Sequence, residues 1–316
     1  MNRHILLTGA TGFVGQCLMK SHASMPWRCA VRALPEGAGP EFFSVGSIDA
    51  HTDWTSVLGD IRVVVHMAAR AHIMHDDCAD PLTEYRRVNT EGTLSLARQA
   101  AAAGVKRFVF VSSIKVNGET TSGLQPFTES LTCEIGDPYG TSKKEAEDGL
   151  RVIASETGME VVIIRPPLVY GPNVKANFLN LMKLADTSIP LPFGTINNKR
   201  SMVYVGNLVD FIIQCIDHPA AANQTFLVCD GEDLSLRSLL SLMRASLGRP
   251  MRLVPVPAFL FRIAGQMTGK GEVVDRLVGD LQIDASKARK LLNWVPPFTV
   301  QQGIDATIAS YLQSKE

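Results

Sequence analysis

The sequence has no excess of either charge: 31 Lys and Arg balance 31 Asp and Glu across 316 residues, and no basic block stands out. Nucleic-acid binding needs a clustered positive field, so that class is excluded. Apolar runs stay well short of the roughly 18–20 residues that a membrane span requires. The six cysteines, at 17, 29, 78, 133, 215 and 229, show neither CxxC nor metal-ligand spacing. No metal is therefore expected, and scattered thiols suit a reducing compartment. No signal-like apolar segment precedes the first strand, so a cytoplasmic protein is expected. Internal repeats and low-complexity tracts are also missing. What remains, with 20% charged and 46% hydrophobic residues, has the composition of a globular chain. Its length allows two lobes.

Residues 3–8 read as a short apolar strand that runs into Gly9-Ala10-Thr11-Gly12-Phe13-Val14-Gly15 and an amphipathic helix to about Ser24. Glycines at 9, 12 and 15 allow a tight turn, close approach of backbone to a pyrophosphate, and close helix–strand packing. The placement between strand and helix is what a dinucleotide-binding loop requires. A second strand over 28–31 ends in Ala30-Val31-Arg32-Ala33, without the acid that grips a ribose 2′-hydroxyl. Arg32 is placed to pair with a 2′-phosphate, so NADP(H) is favoured and NAD(H) stays open. Ser47 and Ile48, after the next short strand, are placed to border the adenine.

Residues 63–70 form a continuous apolar run, typical of a parallel strand covered on both faces. It closes on Met67, Ala68 and Ala69, whose size leaves room for ribose and nicotinamide. His66 reads as a packed polar residue, and Arg70 as either a substrate contact or a surface charge. A helix is expected over 85–103, with Asn89 near the site. The strand over 106–113 passes Val111 and ends in Ser112-Ser113. A loop closing on Pro138 then leads to a helix from about 142 to 157. Tyr139 and Lys143, four apart, share a helical face. An ammonium one turn from a phenol is expected to lower the phenol's pKa and fit it for proton transfer. A strand over 159–165 breaks at Pro166. Strands alternating this regularly with helices predict an α/β fold with a doubly wound parallel sheet and a smaller, interleaved C-terminal lobe. The expected division is 1–168 plus about 203–230 for the dinucleotide domain, and 169–202 with 231–316 for the substrate lobe. The candidate dinucleotide contacts are Gly9, Thr11, Gly12, Phe13, Val14, Gly15, Arg32, Ser47, Ile48, Met67, Ala68, Ala69, Asn89, Val111, Tyr139, Lys143 and Pro166.

Gly9, Gly12 and Gly15 with Ser113, Tyr139 and Lys143 resemble the extended short-chain dehydrogenase/reductase family over essentially the whole chain. The stretches Arg165-Pro166-Pro167-Leu168-Val169-Tyr170-Gly171-Pro172 and Arg200-Ser201-Met202-Val203-Tyr204-Val205 resemble those of its nucleotide-sugar epimerases and reductases. That resemblance implies a UDP-sugar substrate handled at C4, with Ser113, Tyr139 and Lys143 catalytic. It also implies Arg70, Ser113, Asn177, Arg200 and Arg276 at the substrate, and a homodimer through helices near 88–103 and 141–157. A 4,6-dehydratase is disfavoured, because Ile114-Lys115 stands where that subfamily carries an acidic pair. Residues 112–119 and Asn293-Trp294-Val295-Pro296-Pro297 are most similar to bacterial proteins of surface-polysaccharide synthesis. Two readings follow: a 4-keto reductase of UDP-4-keto-6-deoxy-hexosamines, favoured by Arg32, and a UDP-sugar 4-epimerase with tightly held NAD. A non-catalytic dinucleotide sensor is the remote third.

Overall fold

The computed structural model describes residues 4–71, 80–131, 133, 135–267, 269 and 271–315. Its strands are β1 (His4–Thr8), β2 (Trp27–Val31), β3 (Phe42–Ser44), β4 (Ile61–His66), β5 (Arg107–Val111), β6 (Glu160–Arg165), β7 (Leu168–Tyr170), β8 (Met202–Tyr204) and β9 (Thr225–Leu227). One seven-stranded sheet has the order β3-β2-β1-β4-β5-β6-β9 with every pairing parallel. β7 and β8 pair separately, also in parallel. Strand order reverses between β1 and β4. In a doubly wound sheet a ligand crevice opens at that point, beyond the strands' carboxyl ends.

The apolar strands are continuous because both faces of the sheet are buried. Successive side chains point to opposite faces. Ile5, Leu7, Val63, Val65, Val109, Val162 and Ile164 face one core, covered by Leu208, Phe211 and Ile212 of helix Val205–Asp217. Leu6, Val64, Phe108, Phe110, Val161 and Ile163 face the other, covered by Leu96 and Ala97 of helix Thr93–Ala102 and Leu150 of helix Pro138–Thr157. The two covering helices also pack on each other: a Cβ on Gly149 would lie 2.6 Å from the Leu94 methyls. Trp294, buried beyond helix Ser286–Leu292, stacks edge-on against Phe211 at 4.8 Å and donates to Asp210.

A third core gathers Tyr170 of β7 with Phe178, Met182, Leu240, Met243, Ile304 and Ile308 from helices Ala176–Ala185, Leu236–Ser246 and Val300–Gln313. The fully buried guanidinium of Arg244 ties its loops, donating to the carbonyls of Thr187, Ile189, Pro250 and Arg252. Among the described residues no helix is long and apolar enough to cross a membrane.

Two expected boundaries shift. Pro138 opens a helix instead of closing a loop: Pro138–Thr157 begins with Asp137 as its cap, the carboxylate accepting from Gly140 N at 3.2 Å. Proline at the first helical position loses no hydrogen bond, since that N–H has no helical partner. The helix expected over 85–103 is three segments. Pro81–Tyr85 and Thr93–Ala102 flank a π-helical stretch, Arg86–Gly92, which carries Asn89.

Candidate active site

The crevice between β1 and β4 is closed by backbone contact. Gly9 has φ +79°, and a Cβ there would lie 2.8 Å from Ala68 N and 2.9 Å from Met67 C. A Cβ on Gly15 would come within 2.1 Å of the Gly9 carbonyl oxygen, so the first helix can meet the loop only without one. Gly12 caps that helix, Phe13–Ser21, with no side-chain cap and no acid in its first turn. Its leading N–H groups are thus left to an anion from outside. Thr8 Oγ1 accepts from Met67 N and Ala68 N, both at 3.2 Å, which holds residues 67–69 against the glycine loop. These features fit a dinucleotide diphosphate. Arg32 and Ser47 are exposed beyond β2 and β3, whereas Ile48 is half-buried and abuts Gly92.

His66, at the end of β4, is fully buried between Thr8 Oγ1 at 2.7 Å and Thr93 Oγ1 at 2.9 Å. Burial, with the charge of Lys143 adding to it, pushes its pKa down to about 3. It is a neutral packing residue at neutral pH, as the sequence indicated.

Ser113 lies two residues beyond β5, where its hydroxyl caps the short turn Ile114–Val116 by accepting from Lys115 N at 3.3 Å. The Tyr139 phenol faces Ser113, whose side chain pulls its pKa down. Lys143, one turn on from Tyr139, is 1% exposed; its ammonium donates to the Val111 carbonyl at 2.8 Å and sits 4.1 Å over the Phe110 ring. The structure thus brings Ser113, Tyr139, Lys143 and Val111 together. Buried Pro166 accepts from Ile114 N at 3.0 Å, at the base of the same turn.

The expected electrostatics are reversed. Burial raises the Tyr139 pKa, the Asp137 carboxylate and Tyr85 raise it further, and only the Ser113 hydrogen bond opposes them. Burial also drives Lys143 toward neutrality, down to about 7 against the opposing pull of Glu147. With the ordinary value at 10.5, an unfolded chain holds this proton between about pH 7 and 10 while the folded one does not. Stability therefore rises with pH across that window. In dinucleotide-free protein the unfolding midpoint should climb more steeply from pH 7 to 9 than in Lys143→Met. Equal slopes in the two proteins would show that Lys143 keeps its charge in the fold.

Four further residues shape the site. Tyr85 packs edge-on to Tyr139 at 6.0 Å, and Arg70 lies over the Tyr85 ring at 5.7 Å, which brings Arg70 to the border of the Ser113, Tyr139 and Lys143 group. Lys115 lies 6.0 Å from the Tyr139 ring centroid and pairs with Asp137 at 2.6 Å. A cation thus occupies the position where a dehydratase would carry an acid. Glu147, one turn beyond Lys143, is fully buried against Arg165. The Asp137-Pro138 cap and the four-residue step from Lys143 to Glu147 were the sequence signals for two of these. Asn89 bonds backbone near the site. Fully buried, it binds Arg70 N at 2.8 Å, the Arg70 carbonyl at 3.1 Å and Ser142 Oγ at 3.1 Å, so it braces the Arg70 loop against the catalytic helix.

On the C-terminal side, Arg200 Nη1 donates to the Arg276 carbonyl at 2.7 Å and the Gly279 carbonyl at 3.2 Å. Burial lowers the Arg200 pKa, with Asp280 opposing. The Arg276 guanidinium is 57% exposed and stands 3.7 Å from Glu119, on the loop that follows Ser113. Arg200 and Arg276 therefore meet at a seam between this lobe and the catalytic loop, where Thr121 N also donates to the Asp280 carbonyl at 2.9 Å. Asn177 is exposed in the first turn of helix Ala176–Ala185.

The profile of the NAD dependent epimerase/dehydratase family matches residues 5–229. The chain belongs to that family. It is an extended short-chain dehydrogenase/reductase enzyme with an NAD(P) dinucleotide cofactor. Among similar proteins, a UDP-glucose 4-epimerase of Vibrio cholerae is 50% identical over 318 residues, 99% of this chain and 97% of the relative. An N-acetyl-α-D-glucosaminyl-diphospho-ditrans,octacis-undecaprenol 4-epimerase of Escherichia coli O157:H7 is 29% identical over 325 residues, 98% and 95%. Of solved structures, a Thermotoga maritima UDP-glucose 4-epimerase with UDP-glucose superposes with a TM-score of 0.76 at 22% identity, covering 99% of this chain and 100% of that one. The last comparison speaks for the fold.

Proposed function

We propose that this protein is an NAD-dependent 4-epimerase of a UDP-linked sugar, in place of the 4-keto reductase that Arg32 favoured. The observation that carries this reading is the 50% identity to a UDP-glucose 4-epimerase along 99% of the chain. Arg32 is a weak counterweight: its side chain is exposed past the end of β2, where a solvated charge is unremarkable. The two curated epimerases act, by their names, at C4 of sugars carried on a diphosphate. Arg200 and Arg276, with Asn177 on the same lobe, supply the fork and polar groups that a diphosphate or a uridine calls for.

When bound, the nicotinamide supplies hydride exchange at C4 and, in its oxidised form, a positive charge that favours the Tyr139 phenolate. Tyr139 takes the proton from the 4-hydroxyl and later returns it. Ser113 holds that oxygen in line with the phenol. Lys143, anchored on the Val111 carbonyl, is placed for the hydroxyls of the nicotinamide ribose. Residues 1–168 with about 203–230 form the dinucleotide domain in this reading, and 169–202 with 231–316 bind the nucleotide sugar. The homodimer would use the outward faces of helices Thr93–Ala102 and Pro138–Thr157, where Val152 is 53% exposed.

Denaturing the purified protein should release close to one equivalent of NAD that dialysis does not remove. The native protein should interconvert UDP-glucose and UDP-galactose, or their N-acetylated counterparts, with no net consumption of reduced cofactor. A site that exchanges NADPH freely and consumes it stoichiometrically with a UDP-4-keto sugar would restore the reductase.

A further inference from the structure

Helix Ala258–Met267 is apolar almost all round, with the sequence Ala-Phe-Leu-Phe-Arg-Ile-Ala-Gly-Gln-Met. A helix of that kind is ordinarily buried on every side. Here only one side is. Phe261 stacks on Phe193 at 5.3 Å, Ala258 joins the third core, and Gly265 fits so closely that a Cβ would lie 2.8 Å from Val274. The opposite side faces outward: Phe259 is 58% exposed, Leu260 44%, Ile263 48% and Met267 83%. At 3.6 residues per turn these four fall within an arc of roughly 100°. Met251 and Val254, 54% and 44% exposed, extend the apolar surface along the preceding segment. Scattered exposed apolar residues need no explanation, but a contiguous helical face of them does.

The stretch of sequence that carries this face is one-sided in charge, in a chain whose total is balanced. From residue 234 to 271 there is no Asp or Glu, while Arg237, Arg244, Arg249, Arg252, Arg262 and Lys270 all fall there. Arg244 is spent on buried carbonyls and Arg249 on Asp186. Of the others, Arg237 and Arg252 are exposed, and Arg252 follows the exposed Met251 directly. An outward apolar stripe with a cationic margin is the pattern of a helix that lies in the plane of a lipid interface. A second copy of this chain suits it poorly, because a two-fold contact would set the cationic run against itself.

We infer that helix Ala258–Met267 docks this enzyme on an anionic phospholipid surface, with Phe259, Leu260, Ile263 and Met267 entering the headgroup boundary. The inference rests on this face alone and is independent of which sugar the enzyme handles. Anionic lipid supplies a counter-charge that neutral lipid lacks, and salt screens it.

The test is co-sedimentation of the full-length protein with phosphatidylcholine vesicles, with and without about one-third phosphatidylglycerol. Binding to the anionic vesicles should exceed binding to the neutral ones severalfold at low salt and fall as salt is raised. The double variant Phe259→Asp/Met267→Asp should lose at least tenfold in the bound fraction, with its unfolding midpoint and dinucleotide content unchanged. Failure of the parent protein to sediment with anionic vesicles would overturn the inference, as would a double variant that binds like the parent. A parent dimer that becomes monomeric in the double variant without any vesicle binding would reassign the face to a protein contact. If the double variant misfolds, Ile263→Ser with Arg252→Gln should still lower anionic-vesicle binding, and unaltered binding there overturns the inference as well.

Discussion

Tyr139→Phe should lower turnover by roughly 10²–10⁴-fold, the range that a positioned proton donor contributes, while bound dinucleotide stays near the parent level. The change removes one hydroxyl and leaves the ring packed edge-on to Tyr85. Lys143 keeps both its anchor on the Val111 carbonyl and its place over Phe110, so the dinucleotide pocket is undisturbed. The burial and the Asp137 carboxylate that hold the Tyr139 proton add a second signature. Neutralising Asp137 as Asp137→Asn keeps a capping side chain on the helix but removes the negative charge, so the rise of activity with pH that follows phenolate formation should begin at lower pH. A Tyr139→Phe enzyme with near-parental turnover would remove the phenol from the mechanism, whatever its pKa.

Much of this site could be read along the chain, because its parts are local. A strand, three glycines and a helix in sequence fix a tight turn with an uncapped helix start, and the spacing of Tyr139 and Lys143 fixes a shared helical face. The buried strands were legible because residues 63–65 are apolar without alternation, as burial on both faces demands. What escaped was what depends on surroundings. The sign of the Tyr139 shift follows from the groups that enclose it, and burial likewise moves Lys143 toward neutrality. Asp137-Pro138 carried a helix-start signal that yielded to the more general one of proline as a breaker. Asn89 was placed near the site, yet its bonds run to Arg70 and Ser142, which only the fold brings within reach. The 50% relative, not any single residue, shifted the reading from reductase to epimerase.

Arg165→Met should be the most destabilising single change near the site, at about 3 kcal/mol, because it leaves the buried Glu147 carboxylate with only the part-exposed Arg151, at 2.9 Å, as its ion partner. Glu147 is fully buried and Arg165 is 2% exposed. The pair is bidentate, with Arg165 Nη2 to Glu147 Oε2 at 2.6 Å and Nε to Oε1 at 2.9 Å. Ser112 Oγ donates to the same carboxylate at 2.7 Å, and Arg165 Nη1 reaches Asn117 Oδ1 at 2.9 Å and the Glu129 carbonyl at 3.1 Å. The network thus joins the catalytic helix, the end of β6, the residue before Ser113 and the loop after it. Such a network is worth more for placing the helix than for net stability, since two desolvated charges largely offset their own attraction. Removing both should therefore cost much less than removing either: Glu147→Leu/Arg165→Met should recover most of the stability lost by the single variants in urea unfolding. Turnover should not recover with it, because Lys143 then loses the opposing charge one turn away that sustains its ammonium. Single losses that simply add in the double variant would show that the two side chains do not act as a unit. A double variant with parental turnover would confine the pair to stability.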